Sequence, residues 1–562
     1  MKLLHLGLSA AATLLLPAVS QAQSAVDLYN MCRPDLRGTA RFMSMGGAFT
    51  ALGGDLSSLN QNPAGIGIYR SSELGLTLNL DFQSSSATAQ GNKTEENQTK
   101  FSFNNFGYVG TMPLNSTWLQ SISWGATYSR VLSFDRINSG RIGNLGGASL
   151  SNYIAAMSNA GGYYPDSQAP DGLLFGDNYN PYLDGKAGWL DILAFQSYVT
   201  NDTYSTDGSG DFNGFQGLMG EGTTGSAWFK TREKGYVDEY SFNIGGNVSD
   251  VVYWGVGIGV TDMDYKALTQ YGENLNNAYI SAKRIAPDQN GNDVYEITNG
   301  TADYALTSHL HSSGSGFNFK FGVIVKPINE LRLGFAVHTP TWYQMTDTYW
   351  GAIDYNYMPS DNSAYASSLN GSVITDEGYT ASFDYNMRSP WRMMFGIAGV
   401  IGKQGLISAD YEYRGNNVMQ ASDVDGYTYE DVKSDVKTYY KGTHIFRLGG
   451  ELRVTPQLSL RVGYSYETSP VKKQAENDGE FIWTSGTNPS YSFDRHTQYV
   501  TAGLGYRFSS FYVDLAYVNK QRETTYHAFT PLIENGSTLQ GSPSASIKDN
   551  NNQVVLSFGY KF

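Results

Sequence analysis

Few side chains in this sequence have the types and the spacing that catalysis or metal binding would need. His309 and His311 lie two residues apart, which places both imidazoles on one face of a strand, as a haem or metal site would need. The single cysteine, Cys32, excludes a disulfide framework and a cysteine-based zinc site. No serine and histidine are placed as an activated nucleophile would require. We therefore assign no catalytic residues, no metal ligands and no cofactor, and we expect a protein that is not an enzyme.

The composition excludes further classes of protein. The chain has 562 residues, among them 63 glycines, 41 tyrosines and 27 phenylalanines, and only 16% of its residues are charged. Its net charge of −14 argues against binding to nucleic acid, which needs a basic surface. After the first two dozen residues no apolar run approaches the roughly 18 residues of a membrane helix. The fold must therefore be built from elements other than long apolar helices.

The N-terminus has the pattern of a secretory signal peptide. Lys2 supplies a positive start, residues 3–16 are apolar, and Ser20-Gln21-Ala22 is a small-x-small cleavage site. We expect a signal peptide over 1–22 and a mature chain that begins at Gln23. The protein should be exported.

The C-terminus alternates strictly between apolar and small or polar residues. One face of this last strand carries Val554, Leu556, Phe558, Tyr560 and Phe562. Alternation that ends in a terminal aromatic residue resembles the C-terminal assembly signal of bacterial outer-membrane barrels. A strand with one face to lipid and one to a polar lumen gives this pattern, although a strand of a soluble sandwich would also alternate.

Similar segments recur along the chain and predict fourteen strands. Residues 380–402 keep one alternation phase through Pro390, so we interpret them as a single strand with a bulge or kink there. Six short connections alternate with seven long ones, as periplasmic turns alternate with extracellular loops. The long connections are expected at 83–99, 132–237, 263–313, 342–379, 416–442, 468–495 and 522–550. The predicted fold is all-β: a fourteen-stranded antiparallel transmembrane β-barrel over 72–562, with residues 132–237 as its largest extracellular insert.

Residues 23–71 do not follow the strand pattern. They are rich in small residues and contain Gly54-Asp55-Leu56-Ser57 and Asn62-Pro63-Ala64-Gly65 just before the first strand. This arrangement resembles the FadL/TodX-type outer-membrane transporters of hydrophobic compounds, in which an N-terminal hatch plugs the barrel. On its own, a fourteen-stranded barrel is too wide for wall side chains to fill, so a compact plug is physically reasonable. The hatch motif comprises Gly54, Asp55, Ser57, Asn62, Pro63, Ala64 and Gly65.

The resemblance implies a function and a setting. It implies passive uptake of hydrophobic small molecules, such as long-chain fatty acids, through a porin-like barrel whose hatch shifts to admit the ligand. The setting is the bacterial outer membrane, with its lipid and lipopolysaccharide as surroundings, and the barrel-assembly machinery as a partner during biogenesis. We expect a monomer. Two alternatives stay open: a non-transporting scaffold in secretion or surface assembly, and a haem-uptake protein that uses His309 and His311.

Two groups of residues are candidates for contact with a ligand. An apolar helical run in the large insert either forms a collecting groove, as the resembled family implies, or packs with other loops as a cap; its members are Trp189, Leu190, Leu193 and Phe195. Arginines with lumen-facing parity either bind an anionic end of the ligand or pair with wall carboxylates; we single out Arg392, Arg447 and Arg461. The resembled family also implies a wall opening at a kinked third strand, for which Gly125 is the candidate.

Overall fold

The computed structural model describes residues 24–205, 211–287, 293–360, 369–402, 404–476, 480–534 and 537–562. The signal peptide expected over 1–22 lies outside the described residues. Within the described ranges, no helix has both the length and the apolarity needed to cross a bilayer.

Fourteen antiparallel strands form one closed barrel. The last strand pairs with the first from Glu73↔Lys561 onward, which closes the ladder. The strands are β1 (Glu73–Ala89), β2 (Asn92–Pro113), β3 (Leu119–Ser133), β4 (Thr224–Val248), β5 (Val252–Pro287), β6 (Asp293–Ile328), β7 (Leu331–His338 and Trp342–Pro359), β8 (Ala381–Arg388 and Arg392–Ile401), β9 (Gly405–Arg414), β10 (Thr443–Arg453), β11 (Leu458–Glu467), β12 (Tyr491–Phe508), β13 (Phe511–His527) and β14 (Ser544–Lys561). The predicted fold class and strand number are confirmed.

Alternation along each strand decides what faces lipid. On β6, Phe317, Phe319 and Phe321 are exposed, while the intervening Asn318 and Lys320 are buried inside the barrel. The same parity holds at the C-terminus, where Phe558 and Tyr560 face outward and Ser557 inward. The result is an apolar outer band around a polar lumen, the arrangement that a barrel needs in a bilayer.

The interruption at Pro390 has a partner on the neighbouring strand. β8 breaks over 389–391 and β7 breaks over 339–341, around Pro340. The breaks lie side by side, because His338 pairs with Arg392 below them and Trp342 pairs with Arg388 above them. Proline donates no ladder hydrogen bond, which explains both sites. Residues 381–401 thus occupy one strand position, as predicted, but the continuous alternation phase was wrong. Tyr385 and Met387 are buried inside the barrel, whereas Met393 and Phe395, of the same parity, are exposed, because the break at 389–391 inverts the two faces.

Several long loops were predicted wrongly, because the strands continue above the bilayer. β1 and β2 are joined by Gln90 and Gly91 alone, and β5 and β6 run to Pro287 and from Asp293. The large insert is shorter than 132–237, because β3 extends to Ser133 and β4 begins at Thr224. Above the membrane the outward face turns polar, so the aromatic and aliphatic alternation used to locate strands ends before the strand does.

The third strand leaves its neighbour β2 above Ser129, and Gly125 does not mark that point. That glycine lies in an intact ladder between Val109 and Asn243. The pairing of β3 with β2 ends at Ser129, and after Phe134 the chain continues along β4 as the strand Arg136–Ile142. The departure from the β2 edge therefore lies higher than the sequence indicated.

Helices fill the lumen and cover its extracellular end. The N-terminal segment forms α1 (Ala25–Cys32), α2 (Ala40–Ser44), α3 (Ser58–Gln61) and a 3-10 helix (Pro63–Ile68) inside the barrel. The connections contribute α4 (Leu150–Gly161), α5 (Pro181–Asp184), α6 (Trp189–Gln196), α7 (Glu430–Tyr439) and α8 (Lys473–Glu476), with short strands at Thr200–Tyr204, Phe212–Gly217, Leu369–Ile374, Gln420–Ser422, Leu532–Glu534 and Ser537–Gln540.

A girdle of wall glycines receives the N-terminal segment. A Cβ on any one of them would lie under 3.0 Å from an atom of residues 44–66. They stand on nine different strands: Gly75, Gly245, Gly255, Gly322, Gly334, Gly396, Gly449, Gly463 and Gly503. Because the wall has no side chains at these positions, the plug packs directly on the wall backbone. Its own backbone makes the contact at five of the glycines and its side chains make it at the other four.

Substitutions on the two faces of β10 test this packing. Gly449→Val would drive a side chain into Met45, whereas a Cβ on Gly450 has no neighbour closer than 3.8 Å. Overpacking of this kind costs about 1–3 kcal/mol, so we expect Gly449→Val to loosen the plug and Gly450→Val to behave like the wild type. Limited proteolysis of the folded barrel within residues 44–66 measures the difference. Equal protection in both variants would contradict the tight fit.

Candidate functional site: the hatch and the lumen above it

The Gly-Asp-x-Ser motif folds the hatch onto itself. Asp55 accepts hydrogen bonds from the Thr39 hydroxyl at 2.8 Å and from the Ser57 amide at 2.9 Å. The Ser57 hydroxyl in turn accepts from the Thr39 amide, and the Thr39 hydroxyl caps α2 by accepting from the Phe42 amide at 3.2 Å. Burial is the largest influence on Asp55 and raises the pKa of its carboxyl group. Gly54 has φ +65, a left-handed conformation that suits glycine at this turn.

The Asn-Pro-Ala motif connects the hatch to itself and to the wall. The Asn62 side chain is fully buried; its Nδ2 donates to the Thr50 carbonyl at 2.6 Å, and its Oδ1 accepts from the Ala64 amide at 3.0 Å. Pro63 begins the 3-10 helix, where its missing N–H costs nothing. Gly65 packs against Gly53 at a distance that excludes side chains.

One wall carboxylate binds two parts of the hatch. Asp410 on β9 accepts from the Thr50 amide at 2.8 Å and from Gln61 Nε2 at 3.1 Å. The neighbouring His338 on β7 contacts the Gln61 carbonyl through Nε2 at 3.0 Å. The hatch is therefore held by a small number of polar contacts, in addition to its glycine-lined seat.

The predicted lumen arginines take part in ion pairs with the wall. Arg461 contacts Glu451 at 2.7 Å and Asp514 at 2.5 Å, and Glu451 also binds Arg41 of α2 at 3.1 Å. Arg392 and Arg447 share Glu412 at 2.7 Å and 2.6 Å. The mutual network is thus present in the structure, and it joins the hatch to β10, β11 and β13.

A cavity of about 90 Å³ lies in the lumen beside the segment that follows α1, residues 34–37, and beside α2 and α3. Its lining combines apolar groups, such as Leu36 and Phe42, with charged side chains. Three of these are acidic, Asp35, Glu239 and Glu467, and six are basic: Arg37, Arg130, Lys320, Arg392, Arg414 and Arg447. Three buried donors of this lining have no hydrogen-bond acceptor among the described protein groups: Nε of Arg37, Nε of Arg414 and Nη1 of Arg447. Unmet guanidinium donors are costly when buried, and an anionic oxygen would satisfy them.

Above this cavity α1 fills an apolar chamber. Met31 and Tyr29 pack inside the barrel, and Tyr29 stacks on Tyr440 with ring centroids 4.9 Å apart. Buried methionines of the wall and of the loops surround the helix: Met263, Met345, Met387 and Met419. Methionine side chains adapt readily to different apolar partners. Sequence reasoning missed this chamber. Met263 and Met345 have lumen-facing parity, but Met387 shares the parity of the lipid-facing Phe395, and Met419 lies in a connection between strands.

The apolar run of the large insert forms α6, as predicted, but it belongs to a packed cap. Trp189 and Leu193 are buried, and Leu190 and Phe195 are half-buried against the same clusters. In this conformation the four side chains do not line an open groove. Exposed apolar side chains at the extracellular end lie elsewhere in the insert: Tyr164, Leu174, Phe175 and Leu183.

A buried carboxylate of the wall fixes this cap. Glu273 on β5 accepts from the Leu150 amide at 2.8 Å and from the Ser149 hydroxyl at 2.6 Å at the start of α4. The hydroxyls of Tyr271 and Tyr304 complete its shell at 2.9 Å and 2.7 Å. The insert is thus anchored on the barrel rim by charge-assisted hydrogen bonds.

The two histidines lie on the outer face of β6. His311 contacts Asp264 at 2.9 Å, and the His309 ring stacks on Trp350. Both face away from the lumen, so they do not line a route through the barrel. In the part of the chain that the structure describes, no group of three or more His, Cys, Asp or Glu side chains is arranged to hold a metal ion.

The cap should respond to pH through Asp191 of α6, which accepts from the Ser158 hydroxyl at 2.7 Å. Burial raises the pKa of Asp191 to about 6, from an ordinary value of 3.8 in the unfolded segment. The folded segment therefore holds the proton more tightly, and its stability falls as the pH rises from about 4 to about 6. We expect amide exchange of α6, corrected for intrinsic rates, to quicken over this range. Asp191→Asn should abolish the change and slow exchange at pH 7.

Asp177→Asn is the matched control, because Asp177 is exposed in the same insert. This control should keep the wild-type pH profile. A profile that stays unchanged in Asp191→Asn would contradict the assignment.

Comparisons with known proteins complete the description of the site. Neither a protein-family model nor a curated relative matches the sequence. Similar solved structures include a FadL homologue of Pseudomonas aeruginosa, with 13% identity, a TM-score of 0.49 and coverage of 94% of this chain and 100% of that chain. The toluene transporter TodX of P. putida has 13% identity, a TM-score of 0.44 and coverage of 94% and 99%. The toluene transporter TbuX of Ralstonia pickettii has 14% identity, a TM-score of 0.42 and coverage of 95% and 100%.

The first two of these structures carry the names FadL and TodX, which are those of the family that the hatch motif resembles. At this identity and TM-score, the fold of this chain rests on its own strand pairing.

Proposed function

We propose that this protein admits hydrophobic small molecules passively across the outer membrane, and that its cargo is an amphiphile with an anionic end, such as a long-chain fatty acid. The observation that carries the proposal is the vertical order of the lumen: an apolar chamber, then a cavity with unmet arginine donors, then the hatch. In this proposal the chain is exported by its signal peptide, assembled by the barrel-assembly machinery, and works as a monomer.

The chamber around α1 is the place for the apolar chain. Its walls are aromatic and methionine side chains, and α1 packs there through apolar contacts of the kind that an acyl chain would replace. Burial of an acyl chain yields roughly 25 cal/mol per Å² of apolar area, which drives entry without an energy source. Displacement of α1 is then the first step of uptake.

The arginine cavity is the place for the anionic end. A carboxylate there would accept from Arg37, Arg414 and Arg447 and would satisfy donors that the protein itself leaves unmet. A neutral hydrocarbon would gain nothing from these groups. The lining therefore favours an acid over a hydrocarbon of the same length.

Arg447→Gln tests the headgroup. Glu412 keeps Arg392 at 2.7 Å in this variant, so no unpaired wall carboxylate results. Loss of a charge-assisted hydrogen bond should weaken binding of palmitate by about tenfold, while binding of the alcohol with the same chain stays unchanged. Equilibrium binding to the purified protein measures both ligands. Arg495→Gln, at an exposed arginine on the extracellular part of β12, is the control and should not affect either ligand.

Equal loss of both ligands, or of neither, would contradict the assignment of Arg447 to the anionic end.

The hatch motif is tested by flux. Asn62→Ala combined with Pro63→Ala removes the hydrogen bond to the Thr50 carbonyl and the rigid start of the 3-10 helix. We expect saturable uptake of a long-chain fatty acid into liposomes, with flux weakened in the double variant and binding above the hatch retained. Unchanged flux in the double variant would mean that the motif has a structural role and does not act as a gate.

No binding and no flux for any hydrophobe would favour the scaffold alternative. The haem alternative has no support from the lumen, because His309 and His311 face outward.

A further inference from the structure

The paired strand breaks leave a groove on the outer wall of the barrel. At the breaks, the Thr341 amide donates to the Ser389 hydroxyl at 2.8 Å and the Ser389 amide donates to the Thr341 carbonyl at 3.1 Å, so the ladder is replaced by two local bonds. Beyond β8, residues 415–419 leave the wall before Gln420–Ser422 rejoins it. The groove along this discontinuity has a volume of about 870 Å³.

The groove has an apolar half and a polar half. Phe317, Phe319 and Trp342 are exposed and line the half toward the bilayer. The half toward the extracellular side is lined by polar side chains that face outward from three adjacent strand segments. These are Gln344, Asn386, Arg388, Gln420 and Ser422. The apolar half continues into the outer band of β5 and β6, which includes Val256, Ile258 and Phe321.

The boundary between these halves lies at the outer leaflet. Phe317 is eleven residues from Ile328, where β6 ends at its periplasmic turn. At about 3.4 Å per residue and a strand tilt of about 40°, this corresponds to a height of roughly 25–30 Å, the height of the apolar band of a barrel. Arg388 therefore stands where lipid headgroups begin.

Arg388 is free to bind an anion. Its Nε is buried and has no hydrogen-bond partner, and within the described ranges no carboxylate forms an ion pair with it. Asp384, four residues earlier on β8, accepts from the Thr346 hydroxyl at 2.6 Å, and Asp423 accepts from the Tyr427 amide at 2.8 Å. Asn386 is likewise engaged, with the Asp423 carbonyl at 2.7 Å.

We propose that this groove binds a phosphate-bearing lipid of the outer leaflet, with its phosphate on Arg388 and an acyl chain along Phe317, Phe319 and Trp342. Guanidinium recognises phosphate through paired N–H donors, and Gln420 adds a neutral polar group beside it. A soluble ligand would have to cross lipid to reach the apolar half, whereas a lipid chain reaches it from the surrounding bilayer. This binding is independent of what the lumen carries.

The test is native mass spectrometry of the full-length protein in detergent, titrated with dimyristoyl phosphatidic acid. We expect one lipid to be retained by the wild type, retention about tenfold weaker in Arg388→Gln, and partial retention in Arg388→Lys, which keeps the charge but loses the paired donors. Arg495→Gln is the matched control and should retain the lipid as the wild type does. Dimyristoyl phosphatidylcholine, whose phosphate is neutralised within its own headgroup, should be retained weakly by all variants.

One further measurement distinguishes binding of the whole lipid from binding of its headgroup alone, and a second verifies folding. Inorganic phosphate added in excess should not displace the bound lipid, because it lacks the chain that the apolar half holds. Heat-modifiable electrophoretic mobility verifies that every variant forms the folded barrel. Equal retention by Arg388→Gln and the wild type, or full displacement by inorganic phosphate, would overturn the proposal.

Discussion

Backbone amides and carbonyls in hydrocarbon have no water to bind, so each must find a partner within the protein. A strand-based solution meets this constraint only when the sheet closes, which β14 and β1 accomplish here. Closure with fourteen strands has a cost, because the enclosed space is wider than wall side chains can fill. The hatch, its seat and the network of lumen charges all follow from this single requirement.

The seat shows how two backbones can be packed with few side chains between them. Wall glycines such as Gly334 and Gly463 let the hatch approach the sheet, and polar groups such as Asp410 meet the amides that the hatch brings with it. The hatch is thus fixed by shape and a few directional bonds, while the region above it is held by apolar contacts around α1. The two levels differ in the kind of interaction that a ligand would have to replace.

Much of this architecture could be predicted from the sequence, because apolar and polar residue types alternate along each strand. This alternation is the period of two that exposes Phe317 and buries Lys320. The location of the loops could not be predicted, because the outward face of β5 turns polar beyond Val260 while the strand continues to Pro287. The seat of the hatch could have been predicted from the sequence, because glycines of lumen-facing parity recur on strand after strand. The burial of Trp189 and Leu193 could not have been, since an apolar helix has the same sequence whether it packs beneath a cap or lines a groove.

The contact between Ala40 and Ser557 has a consequence for the closure of the barrel. The amide of Ala40 donates to the Ser557 hydroxyl at 2.7 Å across 517 residues of chain, and that hydroxyl also meets Thr77 at 2.7 Å. The N-terminal plug is therefore bonded directly to β14. Ser557 pairs with Thr77 where β14 meets β1, so the plug is held directly at the seam that closes the barrel, and this contact is complete only when the two strands are paired.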